Sequence, residues 1–294
     1  MKMIYVPKIQ ANLKSYQTVK TNRMTTQILD GSYKSMFKGR SMNFDELREY
    51  VQGDDVKDMD WKASARSQKL LVRQYIAERK HNIMLIMDTN KRMLGDSDGL
   101  EEKRELAIMS AGTLAYLVDK NGDYVSATFS NGKSISHFPF KTGLGNIELI
   151  LQNYNKAVNL DNESNLNASL EYVIKNFRRR MIILVVTDVA GILDVSEANL
   201  KRLLVAHDVL FLNISDVKVG GKNVFGLDAQ KYMPEYLTRN KRFVKHLSEE
   251  RERSLKMATD KLKNLGIANS TVDYLDELDR EIVNLLESHK FEKR

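Results

Sequence analysis

The chain contains no cysteine, which removes disulfides, thiolate metal sites and thiol nucleophiles together. A reducing, cytoplasmic setting is the expectation that follows. Proline occurs three times and tryptophan once in 294 residues. There is no low-complexity tract either, so a long flexible linker is not expected. No apolar run approaches the roughly 18 residues that a membrane span needs. The first 22 residues mix charged, polar and apolar types and lack the apolar centre of a signal peptide. The five histidines are scattered at positions 81, 137, 207, 246 and 289, with no zinc spacing among them, and no Gly-x-Ser-x-Gly elbow occurs. Hydrolytic metal chemistry and serine chemistry therefore lack support.

What is present is a globular composition, 42% hydrophobic and 29% charged, on a chain long enough for one large domain or two modest ones. The net charge is +7, with basic clusters at Lys175–Arg180 and Arg239–Phe243. Lysine and arginine are favoured at helix carboxyl ends, and no nucleic-acid motif accompanies these clusters. They read as solvated helix ends, and electrostatic nucleic-acid binding is kept only as a lesser alternative.

Residues 1–80 carry turn signals (Asp30-Gly31-Ser32, Lys38-Gly39-Arg40, Gly53-Asp54-Asp55), one short helix at Asn43–Val51 and a strand near 70–77. They are expected to form a β-rich, turn-rich extension packed on a main domain of residues 81–294. From residue 81 strand and helix alternate, the pattern of α/β architecture. Strands are predicted at 81–88, 124–129, 135–138, 181–187, 209–214 and 270–274. Helices are predicted at 100–120, 145–157, 164–177, 197–207, 234–264 and 276–290. Asn131-Gly132 between two β-prone runs signals a hairpin. That context also disposes of the phosphate-loop look of Ala127–Ser134, since no helix follows. A dinucleotide-like start at Gly143-Leu144-Gly145 fails because Glu148 stands where the third glycine belongs.

Two runs of large aliphatics end in aspartate: Ile83 to Asp88 and Ile182 to Asp188. Uninterrupted runs of this kind are buried on both faces, as in a parallel sheet. Their aspartates emerge at the carboxyl edge, where open α/β sheets form binding crevices. Asp88 and Asp188 are therefore expected to share one site. A third segment, Gly53 to Arg66, packs Asp54, Asp55, Asp60 and Trp61 into a short span. On physical grounds it reads as a turn with aspartate caps, a core tryptophan and an Arg66–carboxylate pair.

Gly31, Ser35, Gly39, Phe44, Arg48, Tyr50, Gly53, Asp54, Asp55, Asp60, Trp61, Ala65, Arg66 and Asp88 occur in the order found in the family called domain of unknown function 58, which the chain resembles. The resemblance implies a von Willebrand factor A-like fold from about residue 80. Such a fold is a doubly wound, mostly parallel α/β sheet with one antiparallel edge hairpin strand. It also implies a MoxR-type AAA+ ATPase, or that ATPase's client, as protein partner, and no enzymatic activity. Domains of that fold hold a divalent ion with an Asp-x-Ser-x-Ser loop, a threonine and a later aspartate. Here Asn90 and Arg92 replace the two serines, Ser164 falls near the threonine and Asp188 at the later aspartate. Arginine offers no lone pair to a metal. The expected site is thus a degenerate, metal-free crevice of Asp88, Asn90, Arg92, Ser164 and Asp188, with no cofactor. A weak magnesium site on Asp88, Asn90, Ser164 and Asp188 is the alternative. An Asp-based phosphoryl-transfer enzyme with Asp88 as nucleophile and Thr187 nearby is a further alternative.

Overall fold

The computed structural model describes residues 2–15, 29–33, 46–74, 80–130, 133–162, 165–217, 225–226 and 231–291. Strand β1 (Glu46–Glu49) and strand β2 (Leu71–Gln74) form a small antiparallel ribbon. The main sheet is built from β3 (Asn82–Met87), β4 (Tyr124–Ser130), β5 (Ile135–Lys141), β6 (Ile182–Asp188), β7 (Asp208–Ile214) and, last in the chain, Ala268–Val272. A two-residue pair, β8 (Phe225–Gly226) with β9 (Lys231–Tyr232), precedes that last strand, which is therefore β10. The order across the main sheet is β10-β7-β6-β3-β4-β5. Every pair in it is parallel except β4 with β5. This is the expected α/β, mostly parallel sheet with one antiparallel edge strand.

The aliphatic runs have no alternation because both faces of the sheet are covered. Along β3, Ile83, Leu85 and Met87 enter one core with the Lys103–Lys120 and Leu144–Ala157 helices. Met84 and Ile86 enter a second core with the Leu166–Asn176, Glu197–Ala206 and Lys241–Asn264 helices. Each large side chain so buried contributes about 1.5–3 kcal/mol. Reversal of strand order beside β3 puts the carboxyl ends of β3 and β6 at the switch point of the sheet, the place where open α/β sheets form binding crevices.

The amino-terminal region differs from its reading in two respects. Asn43–Val51 was expected to be helical, but Glu46–Glu49 is a strand, held by its pairing with Leu71–Gln74. Tyr5–Ser15 is a helix, which the sequence reading did not anticipate. Its Tyr5, Val6, Ile9 and Leu13 are buried on the main domain. Gly112 makes room, since a Cβ there would lie 2.3 Å from Ile9 Cδ1. Glu148 caps the helix start by accepting the N–H groups of Ile4, Tyr5 and Val6 at 2.7–3.2 Å. The residue that spoils a dinucleotide fingerprint is therefore a helix cap. Among the described residues no helix is long and apolar enough to cross a membrane.

Asp279, in the first turn of the Leu278–Phe291 helix, is buried with no donor on Oδ1. Burial pushes its carboxyl up to about 6, from an ordinary value of about 3.9. The folded state thus holds this proton longer than the unfolded chain does. Its stabilising contribution is complete below about pH 4 and is lost as pH rises through about 6. Asp279→Asn is expected to raise stability at about pH 8 by up to about 3 kcal/mol and to change little near pH 4. Melting curves at the two pH values check this.

Candidate functional site

Asp88 directly follows β3 and Asp188 ends β6, the adjacent strand. Both are 1% exposed. Asp88 is fixed from several directions. Its N–H donates to Val186 O at 2.9 Å, and its carbonyl accepts the Tyr154 hydroxyl at 2.8 Å. Its Oδ1 accepts from Asn90 N–H at 2.9 Å and its Oδ2 from the Thr187 hydroxyl at 2.7 Å.

Asn90 then caps the short 3-10 turn Lys91–Leu94 by accepting from Arg92 N–H at 3.1 Å. That turn swings Arg92 back over the strand ends. Its guanidinium lies 3.7 Å from Asp88 Oδ2, 3.3 Å from Asp188 Oδ2 and 3.6 Å from Asp194. Asp188 Oδ1 accepts from Gly191 N–H at 2.8 Å, capping the Val189–Asp194 helix. Its Oδ2 also receives the Lys103 ammonium at 2.9 Å. The same ammonium meets Asp216 at 2.5 Å. The result is a charge ladder: Asp88, Arg92, Asp188, Lys103, Asp216.

The two aspartates titrate in opposite senses. Burial pushes the Asp88 carboxyl up, and the negative charge of Asp188 adds to this. Burial acts on Asp188 too, but the ammonium of Lys103 and the guanidinium of Arg92 outweigh it and hold that carboxyl low. Burial lowers both Lys103 and Arg92, yet their carboxylate partners raise each above its ordinary value. A buried charge without a partner is costly, and this set is internally compensated.

The fold therefore brings Asp88, Asn90, Arg92 and Asp188 together. Ser164 lies outside the described residues. Lys103 and Asp216 escaped the sequence reading. Lys103 sits within Glu101-Glu102-Lys103-Arg104-Glu105, which looks like a solvated charge run. A lysine in the first turn of a helix opposes the helix dipole, and this was the only local sign.

In the Gly53–Arg66 segment the aspartates cap as their chemistry suggested, and the tryptophan and arginine do not follow the reading. Gly53 has φ of 114°, a left-handed backbone that favours glycine. Asp54 pairs with Arg48 at 2.6 Å, Asp55 caps the 3-10 turn Val56–Asp58, and Asp60 caps the Trp61–Ser67 helix through Lys62 and Ala63. Arg66 is exposed. Trp61 was expected in the core and is instead 59% exposed. Its place at the first position of a capped surface helix turns it outward.

Residues 46–219 match the family described as protein of unknown function DUF58. Uncharacterised proteins of Mycobacterium bovis and Mycobacterium tuberculosis are each 26% identical over 212 residues, 71% of this chain and 66% of theirs. The match thus spans just under two thirds of those relatives' length. Among solved structures, conserved hypothetical protein BatB from Bacteroides thetaiotaomicron aligns at TM-score 0.45 and 12% identity, covering 72% of this chain and 99% of that one. A von Willebrand factor type A protein from Catenulispora acidiphila aligns at TM-score 0.39 and 8% identity, covering 74% and 43%. The family match takes in the ribbon, the Gly53–Arg66 segment and the whole charge ladder, and the chain belongs to the DUF58 family.

Proposed function

We propose that this protein is a non-enzymatic protein-interaction module whose crevice carries a degenerate metal-ion-dependent adhesion site. Arg92 and Lys103 supply there the positive charge that a divalent ion supplies in the intact form. The observation that carries this reading is the pair of fixed cations on Asp188 Oδ2, at 2.9 Å and 3.3 Å. Magnesium requires a near-octahedral set of oxygens. Here both Asp188 oxygens and both Asp88 oxygens already accept hydrogen bonds, and an incoming ion would meet two permanent positive charges. The residues present do not fit the ion. A phosphoryl-transfer role for Asp88 is disfavoured by its 1% exposure and by burial, which favours its protonated form.

The partner is proposed to be a MoxR-type AAA+ ATPase or its client. Exposed apolar side chains on the 46–74 segment, Val51, Val56, Trp61 and Leu70, favour contact with protein. Residues 1–80 are proposed to act as an extension docked on the 81–294 body, with the buried Tyr5–Ser15 helix as anchor. The immobilised protein is expected to retain a purified MoxR-type ATPase. Trp61→Ala is expected to weaken retention without moving the melting temperature. Failure of the unmodified protein to retain the ATPase would contradict this reading.

A further inference from the structure

A cavity of about 320 Å³ opens beyond the charge ladder, at the carboxyl ends of β7 and β10 and under the Lys241–Asn264 helix. Its volume is at the lower end for small-ligand pockets. Asn213 and Thr271 form part of its wall, on the sheet side. Asn213 is 3% exposed, and its Nδ2 donates to Thr271 Oγ1 at 3.2 Å. Its Oδ1 has no donor. An acceptor buried without a donor costs about 1–3 kcal/mol. Asn213 belongs to the cavity wall, so a turn of its side chain toward the cavity would give this amide oxygen an N–H or O–H donor from an occupant.

The surrounding charge narrows the choice. Asp98, Asp216, Glu252 and Asp273 line the space, with Arg251 as the cation among its lining residues. Arg251 lies 3.6 Å from Asp98, and Lys103 neutralises Asp216 from behind. Glu252 and Asp273 remain as an excess of negative charge. Among the described residues, no group of three or more acidic or histidine side chains converges closely enough to hold a metal ion. Carboxylates spread around a wall, above a buried amide acceptor, suit a larger cation that carries N–H donors.

We propose that this cavity is a binding site for an aliphatic ammonium or guanidinium group. The group would donate N–H to Asn213 Oδ1 and set its charge against Glu252 and Asp273. It would come either from a free small amine or from a lysine or arginine side chain of a protein.

The test is calorimetry of the full chain at about 150 mM salt, with agmatine and putrescine as free probes. Capped tripeptides carrying a central arginine or lysine serve as side-chain probes, and a capped norleucine tripeptide as the neutral control. Saturable binding is expected for at least one cationic probe and not for the control. Glu252→Gln, on the exposed helix face, and Asp273→Asn should each weaken it at least tenfold. Binding of the free amines marks a small-molecule site, and binding of the peptides alone marks a side-chain receptor; either supports the proposal. No saturable binding by any cation at about 10 mM would overturn it. So would binding that both variants leave unchanged while their melting temperatures stay at the unmodified value. Should a variant unfold, the Asn213→Asp substitution provides a second reading: added negative charge at the wall should tighten cation binding, and weaker binding would overturn the assignment.

Discussion

Lys103→Met is expected to lower the melting temperature by roughly 6–20 °C, because breaking a buried ion pair costs about 3–5 kcal/mol and each kcal/mol moves a domain of this size by about 2–4 °C. Lys103 is 3% exposed, and its ammonium is the closest charge to Asp188 Oδ2. Methionine keeps the unbranched stem out to the ε position, lacks the ammonium, and leaves Asp188 with Arg92 as its remaining cation. Asp216 is less affected, since its side chain is 38% exposed and water can replace the lysine. The double variant Lys103→Met with Asp188→Asn removes the half-paired carboxylate as well, and leaves Arg92 its contacts with Asp88 and Asp194. It is expected to recover much of the loss, as buried ion pairs exchanged for neutral groups commonly do. Denaturant titration of the single and double variants measures both effects. A loss below about 1 kcal/mol for Lys103→Met would show that the pair is not the counter-charge it is taken to be.

Gly191→Ala is expected to be damaging by a different route. A Cβ at this position would lie 1.9 Å from Thr187 Oγ1 and 2.8 Å from Asp88 Oδ2. Those atoms hydrogen-bond each other at 2.7 Å and belong to side chains at the ends of buried strands, so neither can step aside. Overpacking in such settings costs about 1–3 kcal/mol, occasionally more. Here the shift would also loosen the N–H of Gly191 from Asp188. Gly145→Ala is the control. Its Cβ meets nothing within 4 Å and its residue is helical, so a neutral or slightly stabilising effect, up to about 1 kcal/mol, is expected. If the two alanine variants melt alike, the close packing over Asp88 is not a constraint on the site.

Much of this arrangement was legible in the chain because burial on both faces leaves its mark locally. Ile83–Met87 and Ile182–Val186 needed no partner sequence to be read as interior parallel strands, and their terminal aspartates followed at the same edge. Arg92 was legible for a similar reason, since it stands four residues beyond Asp88 in a short loop. Lys103 was not, because it meets Asp188 across 85 residues of chain and its neighbours are charged. The Tyr5–Ser15 helix had a local signal, with Tyr5, Ile9 and Leu13 one turn apart, but Pro7 obscured it. Proline is tolerated in a first turn, where N–H groups lack helical partners. The space and the cap that make the helix dock, Gly112 and Glu148, lie far along the sequence. Trp61 misled through its type: a lone tryptophan suggests a core, whereas its position beside the Asp60 cap put it on a surface.

If fixed side-chain cations take the electrostatic part of a divalent ion at Asp88 and Asp188, magnesium finds no place there. Calorimetric titration of the purified protein with magnesium chloride reads this out. No saturable heat is expected into the millimolar range, and the same flat trace is expected for Asp88→Ala. Micromolar binding that Asp88→Ala abolishes would contradict this.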